Sequence, residues 1–126
     1  MQIKMQDILN FTVFYEAVKS QKLSMKTAYR IAQLAKAIDN EMEFYRSKLR
    51  EIVEEYSEKD ENGQPIPTQD GGIKVLPEKN EECFQAMKEL QELDVTLPDI
   101  KFTIEDFEKI DLEPDIAGAI FPFIEE

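Results

Sequence analysis

One apolar stripe in the middle of the chain constrains the fold more than any other feature of the sequence. Its members recur at alternating three- and four-residue spacing over four unbroken heptads: Ala28, Ile31, Ala35, Ile38, Met42, Tyr45, Leu49, Ile52 and Tyr56. This spacing is typical of a helix that packs along one seam, as in a coiled coil. It predicts a helix from about Ser24, its N-cap, to Tyr56, with a length of about 45–50 Å.

One helix cannot bury such a stripe alone, so other segments must cover it. Helical spacing predicts a first helix over Met5 to Ser20 and a third near Glu81 to Leu93, with Phe84, Met87 and Leu90 on the apolar side of the third. The first helix is less than half as long as the stripe. Three partners for the rest stay open: the third helix, a second copy of the chain through the Ala28–Tyr56 stripe, and a helix of another protein.

The segment after the long helix predicts turns and short β-structure. Asn62-Gly63 and Asp70-Gly71-Gly72 are turn signals, and Pro65 and Pro67 confine the strand between them to an edge. We therefore predict a small β-hairpin over residues 57–77, at the tip of the long helix.

The C-terminal third predicts an extended segment followed by a helical cap. Val95 and Leu97 alternate with polar residues, and after Pro98-Asp99 Ile100 and Phe102 do so one step out of phase. Thr103 with Asp106 forms a capping pattern before a short helix. Pro114 suits the first turn of a last, apolar helix.

Together these segments predict one mainly α domain, residues 1–126, with a minor β component. Its parts are a helical hairpin (1–56), the turn or hairpin segment (57–77), a helix (78–93), and an extended segment with C-terminal helices (94–126).

Residue usage excludes several kinds of chemistry. The chain has no histidine and one cysteine, Cys83, so Ser-His-Asp triads, Cys-His dyads, Cys/His zinc sites and internal disulfides cannot form. Glu58, Asp60 and Gly63 match the front of a calcium loop, but Gln69 stands where that loop needs a bidentate glutamate. No glycine-rich phosphate loop occurs. We predict that the protein is not an enzyme and that it uses no cofactor and no metal.

Charge is segregated along the chain. The net charge is −12, yet residues 1–56 carry nine basic and eight acidic residues, while residues 94–126 carry two and ten. No acid lies between Ala17 and Ile38. This basic segment supplies the first group of candidate interaction residues: Lys19, Lys22, Lys26, Arg30 and Lys36. Whether it neutralises the acidic end internally or binds a partner stays open.

The C-terminal third supplies the other candidate interaction residues. A dispersed array of acids can imitate a phosphate backbone and occupy a nucleic-acid-binding groove of another protein. The apolar end that follows is either core or a docking patch. The candidates here are Glu105, Asp106, Glu108, Asp111, Phe121 and Phe123.

Neither a signal peptide nor a membrane span is indicated. The most apolar N-terminal run is interrupted by Asn10 and Thr12, and no apolar stretch approaches the ~20 residues that a span requires. We expect a cytoplasmic protein with no membrane contact.

Three short motifs resemble a known group of proteins. They are KLSMKTAYRIA over residues 22–32, the turn EKDENG over residues 58–63, and the ending IFPFIEE over residues 120–126. The chain resembles small acidic proteins of unassigned function from tailed phages and prophages, chiefly of Gram-positive bacteria. It departs from their Leu-rich ending at Phe121 and Phe123. The resemblance implies a phage origin and action inside a bacterial host cell, and it assigns no catalytic residue.

These observations favour a non-catalytic, phage-encoded protein that binds another protein of host or phage, for example to inhibit a host or defence factor. One alternative is a virion or assembly component that acts by self-association. A second is a nucleic-acid or nucleotide binder through Lys26 and Arg30, which the strongly negative net charge disfavours.

Overall fold

The structure is a computed structural model and describes residues 1–125. It is mainly helical, with a long second helix, a small two-stranded antiparallel sheet and a C-terminal helix, which confirms the predicted fold class. The order of elements is β1 (Gln2–Lys4), α1 (Met5–Val18), α2 (Met25–Tyr56), α3 (Asn80–Gln91), β2 (Asp94–Thr96) and α4 (Pro114–Gly118). Short 3₁₀ turns cover Pro77–Lys79, Ile104–Phe107 and Phe121–Phe123.

The chain forms two compact units. Unit 1 contains Met1–Met42 and Leu93–Glu126, and unit 2 contains Glu43–Glu92. The first part of α2 therefore belongs to unit 1 and its second part to unit 2. That the whole chain is one domain stays a prediction.

The sheet of unit 1 joins two parts of the chain that lie far apart in sequence. Strands β1 and β2 pair antiparallel, with Ile3 opposite Val95. Both side chains are buried, because residues directly across a strand pair point to the same face. The pairing continues beyond the strands through the amide of Leu97, which donates to the carbonyl of Met1 over 2.9 Å. The extended segment after Leu93 was predicted, and β1 was not.

Aromatic side chains from α1 and the C-terminal third form the centre of the core of unit 1. On α1 the buried positions are Met5, Ile8, Phe11, Phe14 and Val18. The rings of Phe11 and Phe123 meet edge to face at 5.5 Å between centroids. Those of Phe14 and Phe107 do the same at 5.4 Å. Edge-to-face contacts add about 0.5–1.5 kcal/mol each to the effect of area burial.

Helix α2 begins where Ser24 caps it. The amide of Thr27 donates to Ser24 Oγ over 3.2 Å, the N-cap arrangement that the sequence predicted.

The predicted seam of α2 is wrong in two respects. The buried residues are Thr27, Ile31, Leu34 and Ile38, whereas Ala28 is exposed and Ala35 only half-buried. Thr27 and Leu34, each one residue earlier, point into the core instead, and the two alanines lie at the edge of the buried side. Beyond Ile38 no residue of α2 is fully buried, and the stripe from Met42 to Tyr56 is half-buried. The stripe is therefore not buried along its whole length.

In unit 2, α3 lies beside the C-terminal end of α2. The Lys79 ammonium, just before α3, donates to the carbonyl of Glu55 over 3.5 Å. Partial burial raises the pKa of the Tyr56 hydroxyl, and nearby negative groups on both helices, Glu55 and Glu82 among them, raise it further. Leu90 is the one fully buried residue of α3. Phe84, predicted on its apolar side, is instead 63% exposed.

The segment after α2 is a ring of three short extended pieces, residues 57–59, 65–67 and 73–75, rather than one hairpin; isolated bridges join them, and we call them the ring strands. The Glu58 amide donates to the Lys74 carbonyl, the Lys74 amide to the Ile66 carbonyl, and the Ile66 amide to the Glu58 carbonyl, at 2.8, 2.8 and 3.1 Å. Each strand thus bonds to both others, and isolated antiparallel bridges flank the ring. Pro65 and Pro67 are compatible with this ring because proline has no amide hydrogen to donate. The ring bond from their strand is donated by Ile66, which lies between them.

Candidate protein-binding face

Two of the five basic candidate residues bond to other groups of the chain. The other three form no ion pair within residues 1–125, and we call them the uncommitted lysines. Lys19 forms an ion pair with Glu16 at 2.6 Å, which raises the pKa of its ammonium group. Arg30 is half-buried, and its Nη1 donates to the carbonyl of Lys101 over 3.4 Å. Lys22, Lys26 and Lys36 are exposed, and within residues 1–125 none of them forms an ion pair.

The basic segment and the acidic segment adjoin, but not through ion pairs. The Thr27 hydroxyl donates to Asp106 Oδ1 over 3.4 Å, and the Arg30 contact with Lys101 lies one turn further along α2. Across residues 1–125, no ion pair joins Lys19–Lys36 to an acid of the C-terminal third. The charges of the two segments therefore stay largely available to solvent or to a partner.

Asp106 has a structural role. Its Oδ2 accepts the amide of Thr103 over 2.8 Å and completes the predicted capping box of the Ile104–Phe107 turn. With its other oxygen bonded to Thr27, this carboxylate is engaged inside unit 1. The remaining acidic candidates, Glu105, Glu108 and Asp111, are exposed.

The two C-terminal phenylalanines have opposite environments. Phe123 is fully buried against Phe11, so its assignment as a docking residue is wrong. The cause is the 3₁₀ turn at Phe121–Phe123, which directs the two rings to different sides. Phe121 is 72% exposed and remains open to a partner.

The clearest surface feature of unit 1 is the side of α2 opposite its buried stripe. With 3.6 residues per turn, Met25, Tyr29, Ala32, Lys36 and Asn40 fall on this side, which we call the outer face. Met25 is 85% exposed and Tyr29 63% exposed. Two large apolar side chains thus stand exposed about one turn apart, next to lysines that form no ion pair within residues 1–125.

An open groove runs along the outer face. Its volume is about 670 Å³. Tyr29, Ala32 and Lys36 line one side, and Pro98 and Ile100 of the extended segment line the other. The groove exists because alanine positions on α2 leave space between the longer side chains. A second groove of about 440 Å³ lies between the C-terminal end of α1 and the Ala28–Ala32 turn of α2.

The outer face carries charges of both signs at its margins. Lys36 lies within the face, with the exposed Lys26 at one margin and the exposed Asp39 at the other. The face therefore suits a partner with mixed charge and an apolar centre better than a uniformly anionic one.

Residues 1–125 contain no cluster of acids and cysteine that is arranged to hold a metal ion. In the same range, no helix combines the length and the apolar character needed to cross a membrane. Comparison with protein-family models, curated proteins and solved structures finds no match.

Sequence reasoning found the lysines of this face and missed its apolar members. Met25 and Tyr29 stand four residues apart, and Lys36 follows Tyr29 by two turns, so the signal was present as a second helical stripe. The stronger heptad pattern obscured it.

Proposed function

We propose that the chain binds another protein through the outer face of α2 and catalyses no reaction. The observation that carries this proposal is the exposure of Met25 and Tyr29 beside the uncommitted Lys26 and Lys36, above an open groove. Aromatic and methionine side chains are enriched at the centres of protein interfaces, and charged residues at their rims. The outer face has this composition.

A protein partner suits this surface better than a nucleic acid. Phosphate contacts dominate nucleic-acid affinity, and each requires a cation free of nearby acids. Here Asp39 follows Lys36 by about one turn of α2, and the chain carries a net charge of −12. Both features repel a phosphate backbone.

The nature of the partner is suggested by the resemblance to phage proteins. We propose that the gene is a phage gene, that the chain acts in the bacterial cytoplasm, and that its partner is a host or phage protein. Inhibition of a host or defence factor is the form of action that a small non-catalytic binder of this kind would have.

The test is affinity capture from infected host lysate with matched variants. Tyr29→Ala removes the aromatic centre of the outer face, and Lys36→Glu reverses a rim charge. We expect both variants to lose most of the captured protein, because a truncated central aromatic side chain typically costs an interface about 2 kcal/mol or more. Phe84→Ala and Lys109→Glu make the same kinds of change at exposed positions elsewhere, and they should retain it.

The competing sites give different results. If Phe121→Ala abolishes capture while Tyr29→Ala does not, the docking site is the C-terminal patch and the proposal is wrong. If the captured material is nucleic acid, with affinity that falls steeply with salt, the second alternative is correct instead.

A further inference from the structure

The second half of α2, within unit 2, borders an open groove of about 840 Å³. The apolar part of its lining comes from Leu49, Val53 and Pro65. Charged side chains surround this centre: Arg46, Arg50, Glu51, Glu54 and Glu55. An apolar centre with a charged rim is the anatomy of a protein interface. Leu49 and Val53 are only half-buried, so the chain itself leaves this centre incompletely covered.

Charges along this part of the chain are segregated by sign. Residues 46–50 contain Arg46, Lys48 and Arg50 and no acid, whereas residues 51–58 contain four glutamates and no cation. Within residues 1–125, neither Arg46 nor Arg50 forms an ion pair with a carboxylate. Glu54 contacts a cation only at 3.8 Å, and its side chain is 76% exposed. Glu51 pairs with Lys48 at 3.1 Å and Glu58 with Lys74 at 3.3 Å. Within residues 1–125 the groove charges without a close ion-pair partner are therefore Arg46, Arg50, Glu54 and Glu55.

We infer that this groove binds a second copy of the chain, with the two α2 helices antiparallel about a two-fold axis level with Ile52. Residues whose numbers sum to 104 then lie at the same height. Arg50 stands level with Glu54 of the other copy. The two-fold axis repeats this contact, so two complementary contacts form.

Self-complementarity is the reason for choosing a second copy as the occupant. A C2 interface needs a surface whose two halves match each other, and a cationic half next to an anionic half meets this condition only when the helices run antiparallel. In a parallel pair, like charges would stand side by side. Leu49 and Val53 lie between the charged groups in the antiparallel pair, so both copies cover the apolar centre.

The expected dimer is weak and reversible. The part of α2 that borders the groove, from Arg46 to Glu55, is about 14 Å long at the helical rise per residue, which is short for a stable coiled coil. Exposed ion pairs are screened by salt, so the dissociation constant should rise with ionic strength.

Charge exchange tests this geometry by sedimentation over a range of protein concentrations. Arg50→Glu alone and Glu54→Arg alone each create like-charge contacts in the homodimer and should weaken it about tenfold or more. An equimolar mixture of the two variants should recover the original affinity, because in the heterodimer both contacts again join opposite charges. The double variant R50E/E54R should recover it as well.

Recovery in the mixture distinguishes contact between chains from an Arg50–Glu54 pair within one helix, which mixing cannot restore. Lys109→Glu, a charge reversal at an exposed site in unit 1, should leave the association unchanged. Far-ultraviolet circular dichroism checks the fold, and the R50D and E54K pair replaces any variant that loses helix. A monomer at every concentration, or a dimer that the single variants do not weaken, overturns the inference.

Discussion

At the C-terminal end, two phenylalanines two positions apart differ sharply in burial. Phe121 and Phe123 have the same side chain, yet one is exposed and the other lies in the aromatic core of unit 1. Sequence alone treated them as equivalent because an apolar run shows no helical or strand period once a proline interrupts it. Only the 3₁₀ turn separates them.

This difference predicts unequal effects of the same substitution. Phe123→Ala should lower the free energy of unfolding by about 3–5 kcal/mol, since it leaves a cavity beside Phe11. Phe121→Ala should change it by no more than about 0.5 kcal/mol. Urea unfolding followed by circular dichroism measures both. Phe123→Leu, with an expected loss of about 1 kcal/mol, keeps the comparison possible if the alanine variant does not fold. Equal losses at the two positions would contradict the described core.

At the scale of elements, helices were predictable and the ring of strands was not. Periodicity placed α1, α2 and α3 within about two residues of their observed ends, and capping chemistry placed Ser24, Thr103 and Pro114. Strand β1 was missed because three residues are too few to show a period. The ring escaped because its strands share single hydrogen bonds that no local pattern specifies.

Each of the two turns of the ring requires a glycine at one position. Gly63 and Gly71 have φ values of +77° and +86°, in the left-handed region that disfavours other residues. In the second turn, hydrogen bonds from the Thr68 hydroxyl and the Gly72 amide to the carboxylate lower the pKa of Asp70. Backbone conformation and local hydrogen bonding therefore define both turns.

Alanine substitutions should separate backbone strain from steric contact. Gly63→Ala and Gly71→Ala should each cost about 1 kcal/mol or more of unfolding free energy, although nothing lies within 4 Å of the added methyl group. Gly118→Ala meets equally open space in α4 at ordinary φ, so it should be neutral or stabilise by up to about 1 kcal/mol. Thermal unfolding of the three variants measures this. A destabilising Gly118→Ala would contradict the open space described in α4, and harmless substitutions in both turns would contradict the left-handed conformation of Gly63 and Gly71.

At the scale of the whole molecule, burial along α2 divides at Ile38. The stripe was predicted as one continuous seam because the heptad pattern has no gap, yet a pattern shows which residues are apolar and not how far the rest of the chain extends over them. Full burial needs a core such as that of unit 1. The second half of α2 keeps the pattern with partial burial, and this is where the candidate self-association site lies.

Hydrogen exchange should show this division. The amides of Ile31, Leu34 and Ile38 should exchange much more slowly than those of Tyr45, Leu49 and Ile52, because protection follows burial in a cooperative core. The exchange should be measured at protein concentrations at which the chain is monomeric, so that association does not protect the second half of α2. Uniform slow exchange from Ile31 to Tyr56 would instead restore the continuous seam.

The ring of Glu58, Ile66 and Lys74 has one more consequence. Short exposed strands usually leave a free edge to which a strand from another molecule can add, which is a common origin of aggregation. Here the central amide of each strand donates to one neighbour and its central carbonyl accepts from the other, so the three strands form a closed ring. Because the ring is closed, we expect it to resist the addition of strands from other chains that leads to fibrils.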